Sequence, residues 1–185
     1  MTSEDSTHTR PSGSVFSSPL LVLGGAKSGK STWAESVMSS FAPPYVYIAT
    51  AQAFDDEMKL RIERHRERRK GVWETIESPV ELQDTLRSLS GRGNAVLLDC
   101  ITLWLSNLLC SGSAELEAKV EILCKAVEAA DYPLVIVSNE VGSGIVPDNP
   151  LARKFRDIAG STNQRLAQIC ASVYLVTAGL PIRLK

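Results

Sequence analysis

Residues 24–31 read Gly-Gly-Ala-Lys-Ser-Gly-Lys-Ser: a glycine, four residues, then Gly-Lys-Ser. This pattern binds phosphate only where it joins a strand to a helix. The flanks supply that context, since Leu20-Leu21-Val22-Leu23 is a short apolar run and residues 32–41 are compatible with a helix. A strand, a glycine-bearing loop at its carboxyl end and a helix form the unit from which open α/β sheets are built, so this stretch constrains the fold more than any other. Its physics is specific. Gly24, Gly25 and Gly29 lack a β-carbon, so the backbone N–H groups of the loop, including those of Ala26, Lys27 and Ser28, can turn inward onto an anion, and the helix N-terminus adds partial positive charge. Lys30 is then placed to reach β- and γ-phosphates, and the Ser31 hydroxyl to hold Mg2+. The alternative is a Gly/Ser-rich turn that fits by accident.

The rest of the chain repeats the alternation. Pro43-Pro44 closes the first helix, because proline cannot continue one. Residues 45–50, Tyr-Val-Tyr-Ile-Ala-Thr, read as a buried second strand. Ligands of open α/β sheets gather beyond the carboxyl ends of strands, which brings Thr50, Ala51 and Gln52 toward a nucleotide or its acceptor, unless they form a plain polar connector. Residues 54–70 are helix-like, with Gly71 as the stop, and residues 72–77 alternate like a short exposed strand. Ser78 and Pro79 then suit the N-cap and first position of a helix over 79–89. Residues 95–99, Ala-Val-Leu-Leu-Asp, form an apolar strand ending in an acid. Asp99 can order Mg2+ at a phosphate site, or simply cap the helix that begins near Ile101. Helices are expected over 101–109 and 114–130, and a buried strand over 134–137. That strand opens onto a glycine-bearing loop beginning Ser138-Asn139-Glu140, and a flexible connector does not need Asn-Glu at a strand end. Asn149-Pro150 starts a helix over 151–171 that Gly160 is expected to interrupt. Residues 173–177 form the last strand, before a turn and a short tail. Strands that read as continuous apolar runs imply an α/β protein with a mainly parallel sheet and helices on both faces.

Composition narrows the function classes. At 185 residues the chain suits one domain over 19–185 after a disordered tail over 1–18, which is rich in Ser, Thr and Pro and resembles neither a secretory signal nor an anchor. A net charge of -1 argues against generic nucleic-acid or anionic-membrane binding. The four cysteines, Cys100, Cys110, Cys124 and Cys170, form no C-x-x-C pair, sit in apolar stretches and read as buried reduced thiols of a cytoplasmic protein. The run over 95–109 is broken by Asp99, Ser106 and Asn107 and is too short to span a bilayer.

A phosphate loop alone does not separate kinase from GTPase or motor. No N-K-x-D element for reading guanine is present, and Asp157-Ile158-Ala159-Gly160, which matches a D-x-x-G switch, lies inside a helical stretch. A recombinase-type ATPase would need strand-binding modules for which the chain leaves little room. A small-molecule phosphotransferase fits the length better. His65 sits among Arg64, Arg66 and Arg69. It either completes an apolar helix face or acts as a nucleophile: a neutral imidazole can attack phosphorus while guanidinium groups neutralise the charge that builds on the phosphate oxygens.

Taken together, several blocks resemble the bifunctional adenosylcobinamide kinase/adenosylcobinamide-phosphate guanylyltransferase family of cobalamin biosynthesis. They are the phosphate loop, Tyr-Ile-Ala-Thr-Ala-Gln, Asp-Asp-Glu-Met with Arg-Ile-Glu-Arg-His-Arg, Leu-Leu-Asp-Cys-Ile-Thr, Asn-Glu-Val-Gly-Ser-Gly-Ile-Val-Pro and Phe-Arg-Asp-Ile-Ala-Gly-Ser-Thr-Asn-Gln-Arg-Leu, in order across residues 20–185. The resemblance implies a RecA-like P-loop NTPase fold, a homotrimer with sites near subunit boundaries, and two reactions. ATP or GTP, with Mg2+, would phosphorylate the aminopropanol hydroxyl of adenosylcobinamide. GTP would then give GMP to the resulting phosphate through a guanylyl-histidine at His65. It further implies nucleotide-binding positions at Gly24 to Ser31, Thr50, Ala51, Gln52, Arg66, Glu67, Arg68, Arg69, Glu77 and Asp99. Two departures stand out: Lys27 replaces the more usual Arg, and Glu67-Arg68 followed by Lys70 replaces the Asp-Gly-Arg-Pro expected after that histidine. The alternative is a P-loop kinase of another small hydroxylated substrate, with His65 structural.

Overall fold

A computed structural model describes residues 16–52, 71–113 and 115–185. The element order is β1 (Leu20–Gly24), α1 (Lys30–Met38), β2 (Tyr45–Ala49), β3 (Trp73–Glu77), α2 (Leu82–Ser88), β4 (Val96–Asp99), α3 (Ile101–Cys110), α4 (Leu116–Glu128), β5 (Leu134–Asn139), α5 (Pro150–Ile169), β6 (Ser172–Thr177) and β7 (Leu180–Arg183). The strands form one sheet in the order β3-β2-β4-β5-β1-β6-β7. Every neighbouring pair is parallel except β6 with β7.

Successive side chains of a strand point to opposite faces, and here both faces are covered. Leu20 and Val22 pack with Ala34, Val37 and Met38 of α1, whereas Leu21 and Leu23 join the cluster built with α2, α3, α4 and α5. This double burial is why the strands lack an apolar/polar alternation. Each fully buried Leu or Val removes enough hydrocarbon from water to contribute about 1.5–3 kcal/mol. Trp104 fills the larger cluster with no exposed surface and donates its indole N–H to the Val80 carbonyl at 2.7 Å.

Several sequence expectations need correction. The first helix begins at Lys30 and ends at Met38 instead of spanning 32–41. Ser78 does not cap a helix at Pro79: its N–H continues the sheet to the Ala49 carbonyl, its hydroxyl is buried and accepts from Thr85 Oγ1, and α2 starts only at Leu82. Gly160 does not interrupt α5, which runs unbroken because Ala159, Thr162, Asn163 and Leu166 anchor that turn on the core; packing outweighs a weak local preference. After β6 the chain makes no loose tail but turns back as β7. Lys185 closes this end by donating Nζ to the carbonyls of Ala167, Gln168 and Cys170, the open C-terminus of α5. Cys100, Cys124 and Cys170 are buried, but Cys110 is exposed. At the other end Phe16 packs edge-on against Trp33 and Tyr174, and Ser18 Oγ accepts from the Leu134 N–H. Residues 1–15 and the expected helix over 54–70 lie outside the described residues.

Candidate active site

Parallel pairing places the carboxyl ends of β1, β2, β4 and β5 along one edge of the sheet. Gly24 is opposite Asn139, Asp99 is opposite both Ala49 and Val137, and Ala49 is opposite Glu77. Gly24 to Ser31, Thr50, Ala51, Gln52, Glu77 and Asp99 therefore lie along one rim, although they span 76 positions of sequence from 24 to 99. His65, Arg66, Glu67, Arg68 and Arg69 lie outside the described residues.

The loop has the conformation its glycines permit. Gly29 adopts φ 93°, which favours glycine, and a β-carbon there would stand 3.0 Å from Gly179 Cα. A β-carbon on Gly24 would collide with the Val176 carbonyl at 2.6 Å and with Ser28 Oγ at 2.5 Å. The Gly179 N–H ties the loop to the β6–β7 turn through the Ser28 carbonyl at 2.8 Å. Gly29 caps α1 without a side-chain hydrogen bond, so the N–H groups of the first turn remain for an incoming anion. Ser28 Oγ is buried without a partner among the described residues. An unpaired buried hydroxyl is costly, and a phosphate oxygen is the kind of partner that would relieve it. Lys30 is only 9% exposed and donates Nζ to the Gly25 carbonyl at 3.2 Å, folded back over the loop that it would serve. These donors fit a polyphosphate.

Asp99 ends β4 half-buried, and it is not the cap of α3. Cys100 holds the N-cap position, with no side-chain cap hydrogen bond, so Asp99 is left at the carboxyl end of β4, on the same rim as the loop and one strand removed from it. One alternative from sequence is thereby removed. Mg2+ at such a site takes one or two protein oxygens and completes its shell with phosphate and water, so Ser31 and Asp99 suit it chemically. Among the described residues no group of three or more His, Cys, Asp or Glu is placed to hold a metal by itself.

Thr50 is fully buried, and its hydroxyl donates to the Cys100 carbonyl at 2.7 Å while accepting from the Cys100 N–H at 2.8 Å. It locks the end of β2 onto the turn after Asp99. Asn107 of α3 donates to the carbonyls of Thr50 at 2.8 Å and Pro79 at 2.9 Å, stapling the helix across the rim. Thr102, Asn107, Ser138 and Asn163 are buried polar residues here, and none was among the site candidates from sequence. Signals were nonetheless visible: Ser138 opens the Asn-Glu loop, Thr102 and Asn163 fall in blocks that carry the family resemblance, and Asn107 is polar inside the apolar run Leu-Trp-Leu-Ser-Asn-Leu-Leu. Burial raises the Cys100 thiol to about 11, with the Asp99 charge adding to it, so Cys100 is a neutral packing group. A separate cleft of about 880 Å³ lies between the start of α4 and the middle of α5, lined in part by Leu116, Lys154, Asp157 and Ile158, and it contains none of the site candidates.

Residues 20–184 match the model of a family described as cobinamide kinase / cobinamide phosphate guanyltransferase. The chain belongs to that family. A relative from Pseudomonas aeruginosa, the bifunctional adenosylcobalamin biosynthesis protein CobP, is 45% identical over 166 residues, covering 89% of this chain and 96% of its own. The Salmonella typhimurium protein CobU, of the same description, is 41% identical over 180 residues, covering 90% and 99%. Among solved structures, a prototypical ATPase of a bacterial type III secretion system aligns with TM-score 0.50 at 16% identity, over 85% of this chain and 50% of its own. At that identity the likeness speaks to fold alone. The fold of this cobinamide kinase family member is RecA-like, with one strand, β5, inserted between the phosphate-loop strand and the Asp99 strand. No helix among the described residues is long and apolar enough to cross a membrane.

Proposed function

We propose that this chain phosphorylates adenosylcobinamide with a nucleoside triphosphate and then guanylylates the product with GTP, giving adenosylcobinamide-GDP. Membership of a family defined by both activities supports this. The carrying observation is the phosphate loop itself: uncapped first-turn N–H groups, the orphan Ser28 hydroxyl and Lys30 face one rim with Asp99. In the first reaction the acceptor hydroxyl attacks the γ-phosphorus of ATP or GTP, loses its proton, and releases the nucleoside diphosphate. Lys30 and the loop N–H groups hold the β- and γ-phosphates, and Ser31 with Asp99 would hold Mg2+, which when bound would draw charge off the phosphate oxygens.

In the second reaction neutral His65 attacks the α-phosphorus of GTP and expels pyrophosphate. A phosphate oxygen of adenosylcobinamide phosphate then attacks the same phosphorus and frees the imidazole. Arg66, Arg68 and Arg69 neutralise charge at the α-phosphate, Glu67 and Glu77 flank the nucleotide, and Thr50 orders the rim so that Ala51 and Gln52 reach it. The working protein is a single catalytic domain after the N-terminal tail, as length and composition suggest, cytoplasmic, as its cysteine usage suggests, and a homotrimer, as the family resemblance implies.

The test is mass spectrometry of adenosylcobinamide incubated with the purified chain. ATP with Mg2+ is expected to give adenosylcobinamide phosphate, and later addition of GTP to give adenosylcobinamide-GDP. Failure of the first product, with phosphorylation of some other small alcohol instead, would replace this reading with the P-loop kinase of a different acceptor.

A further inference from the structure

Asn139-Glu140 has no part in the nucleotide contacts above, yet the sheet order gives the pair a defined place. β5 separates β1, which carries the phosphate loop, from β4, which carries Asp99. Those two halves of the site do not touch as strands, so their spacing is set through the end of β5. On one side Asn139 Nδ2 donates to Thr102 Oγ1 at 2.6 Å, and the Asn139 N–H approaches the same hydroxyl at 3.4 Å. Thr102 is buried in the first turn of α3, three residues after Asp99. On the other side the Glu140 N–H donates to the Gly24 carbonyl at 3.0 Å, at the root of the phosphate loop. The span is braced from behind by Asn163 of α5, which donates Nδ2 to the Asn139 carbonyl at 3.0 Å and accepts from Ser138 Oγ at 2.6 Å.

A strand end that served only as a connector could leave an asparagine in water. Here the side chain turns inward onto a hydroxyl, and the surrounding amides and hydroxyls are paired with one another, an arrangement that fixes one geometry where apolar packing would tolerate several. We propose that Asn139 is a positioning residue that sets the distance between the Asp99 carboxylate and the phosphate loop, through the Thr102 hydroxyl and the Glu140 N–H. The proposal rests on Ser31 and Asp99 as joint holders of Mg2+. That ion demands near-ideal octahedral distances, so a loosened strut weakens the coupling between ion and nucleotide more than it weakens the nucleotide alone.

The experiment is titration of the full chain with a fluorescent GTP analogue, in EDTA and in saturating Mg2+, alongside thermal unfolding. In the wild type Mg2+ is expected to tighten binding. In Asn139→Ala and in the near-isosteric Thr102→Val, that tightening is expected to shrink about tenfold, the effect of one lost buried hydrogen bond, while affinity in EDTA changes less than about twofold. Thr102→Ser, which restores the hydroxyl, is expected to behave as wild type, and the double variant Asn139→Ala/Thr102→Val to be no worse than either single one. Equal loss of affinity with and without Mg2+, tracking a fall in unfolding temperature, would reduce the residues to structure and overturn the proposal. Wild-type tightening that survives in both single variants overturns the strut alone. A wild type that Mg2+ does not tighten removes the Ser31–Asp99 ion site and the strut with it.

Discussion

At the level of Leu20, Val46, Val96 and Leu134 the sheet is sealed by hydrocarbon on both faces, whereas a few residues further along the same strands the side chains are Thr50, Asp99, Ser138 and Asn139 and the contacts across strands are polar. The two levels are stabilised differently. The lower one gains from area removed from water, is non-directional, and tolerates exchange of one apolar residue for another of similar volume. The rim gains little net stability from each hydrogen bond, but each fixes a distance and an angle. Changes in the lower level should therefore be read in stability, and changes at the rim in chemistry.

The largest separation is expected from Lys30→Met. If Lys30 holds the phosphates as proposed, removing its charge should lower phosphoryl transfer by about a hundredfold or more, with unfolding temperature shifted by only a few degrees. Matched losses in both would erase the distinction between the two levels. The complementary change is Leu98→Ala, at a fully buried position in the middle of β4. Denaturant unfolding should show a loss of about 2–5 kcal/mol, while kcat per folded molecule holds near wild type.

Thiol chemistry sharpens the same contrast. Burial pushes Cys100 up to about 11 and Cys170 up to about 12 from an ordinary 9.0, so both stay neutral in the folded chain at pH values where the unfolded chain ionises them. Their contribution to stability is thus complete below pH 9 and is lost as pH rises through the 9–12 window. Alkylation at pH 8 is expected to mark exposed Cys110 alone until denaturant is added, and prompt labelling of Cys100 would show that the junction behind Asp99 opens to solvent. The smallest effect is Gly160→Ala. A β-carbon there meets nothing within 4 Å, so the exchange should stabilise α5 by about 0.5–1 kcal/mol without altering nucleotide binding.

Much of this was legible before the structure because the signals are local. The phosphate loop, the buried strands and the Asn149-Pro150 helix start each depend on neighbours in sequence; Asn149 Oδ1 indeed accepts from the N–H groups of Leu151 and Ala152. What escaped depends on distant partners. β7 is Leu-Pro-Ile-Arg, exposed and carrying a proline, and it is a strand only because β6 lies beside it. Ser78 looks like a cap until the sheet claims its N–H. Thr102 and Asn163 look like ordinary helix-surface residues, yet their partner Asn139 lies 37 and 24 positions away. The adjacency of β5 to both halves of the site follows from topology, which no local pattern encodes.

The central claim is that one chain uses the phosphate loop for both γ-phosphoryl and α-phosphoryl chemistry, the second through His65. GTP labelled at either the α- or the γ-phosphate, incubated with the protein and no acceptor, tests it most directly. The account predicts protein-bound, acid-labile label from the α-position only, abolished in His65→Ala. Absence of α-label from the wild type, or its persistence in the variant, would contradict it.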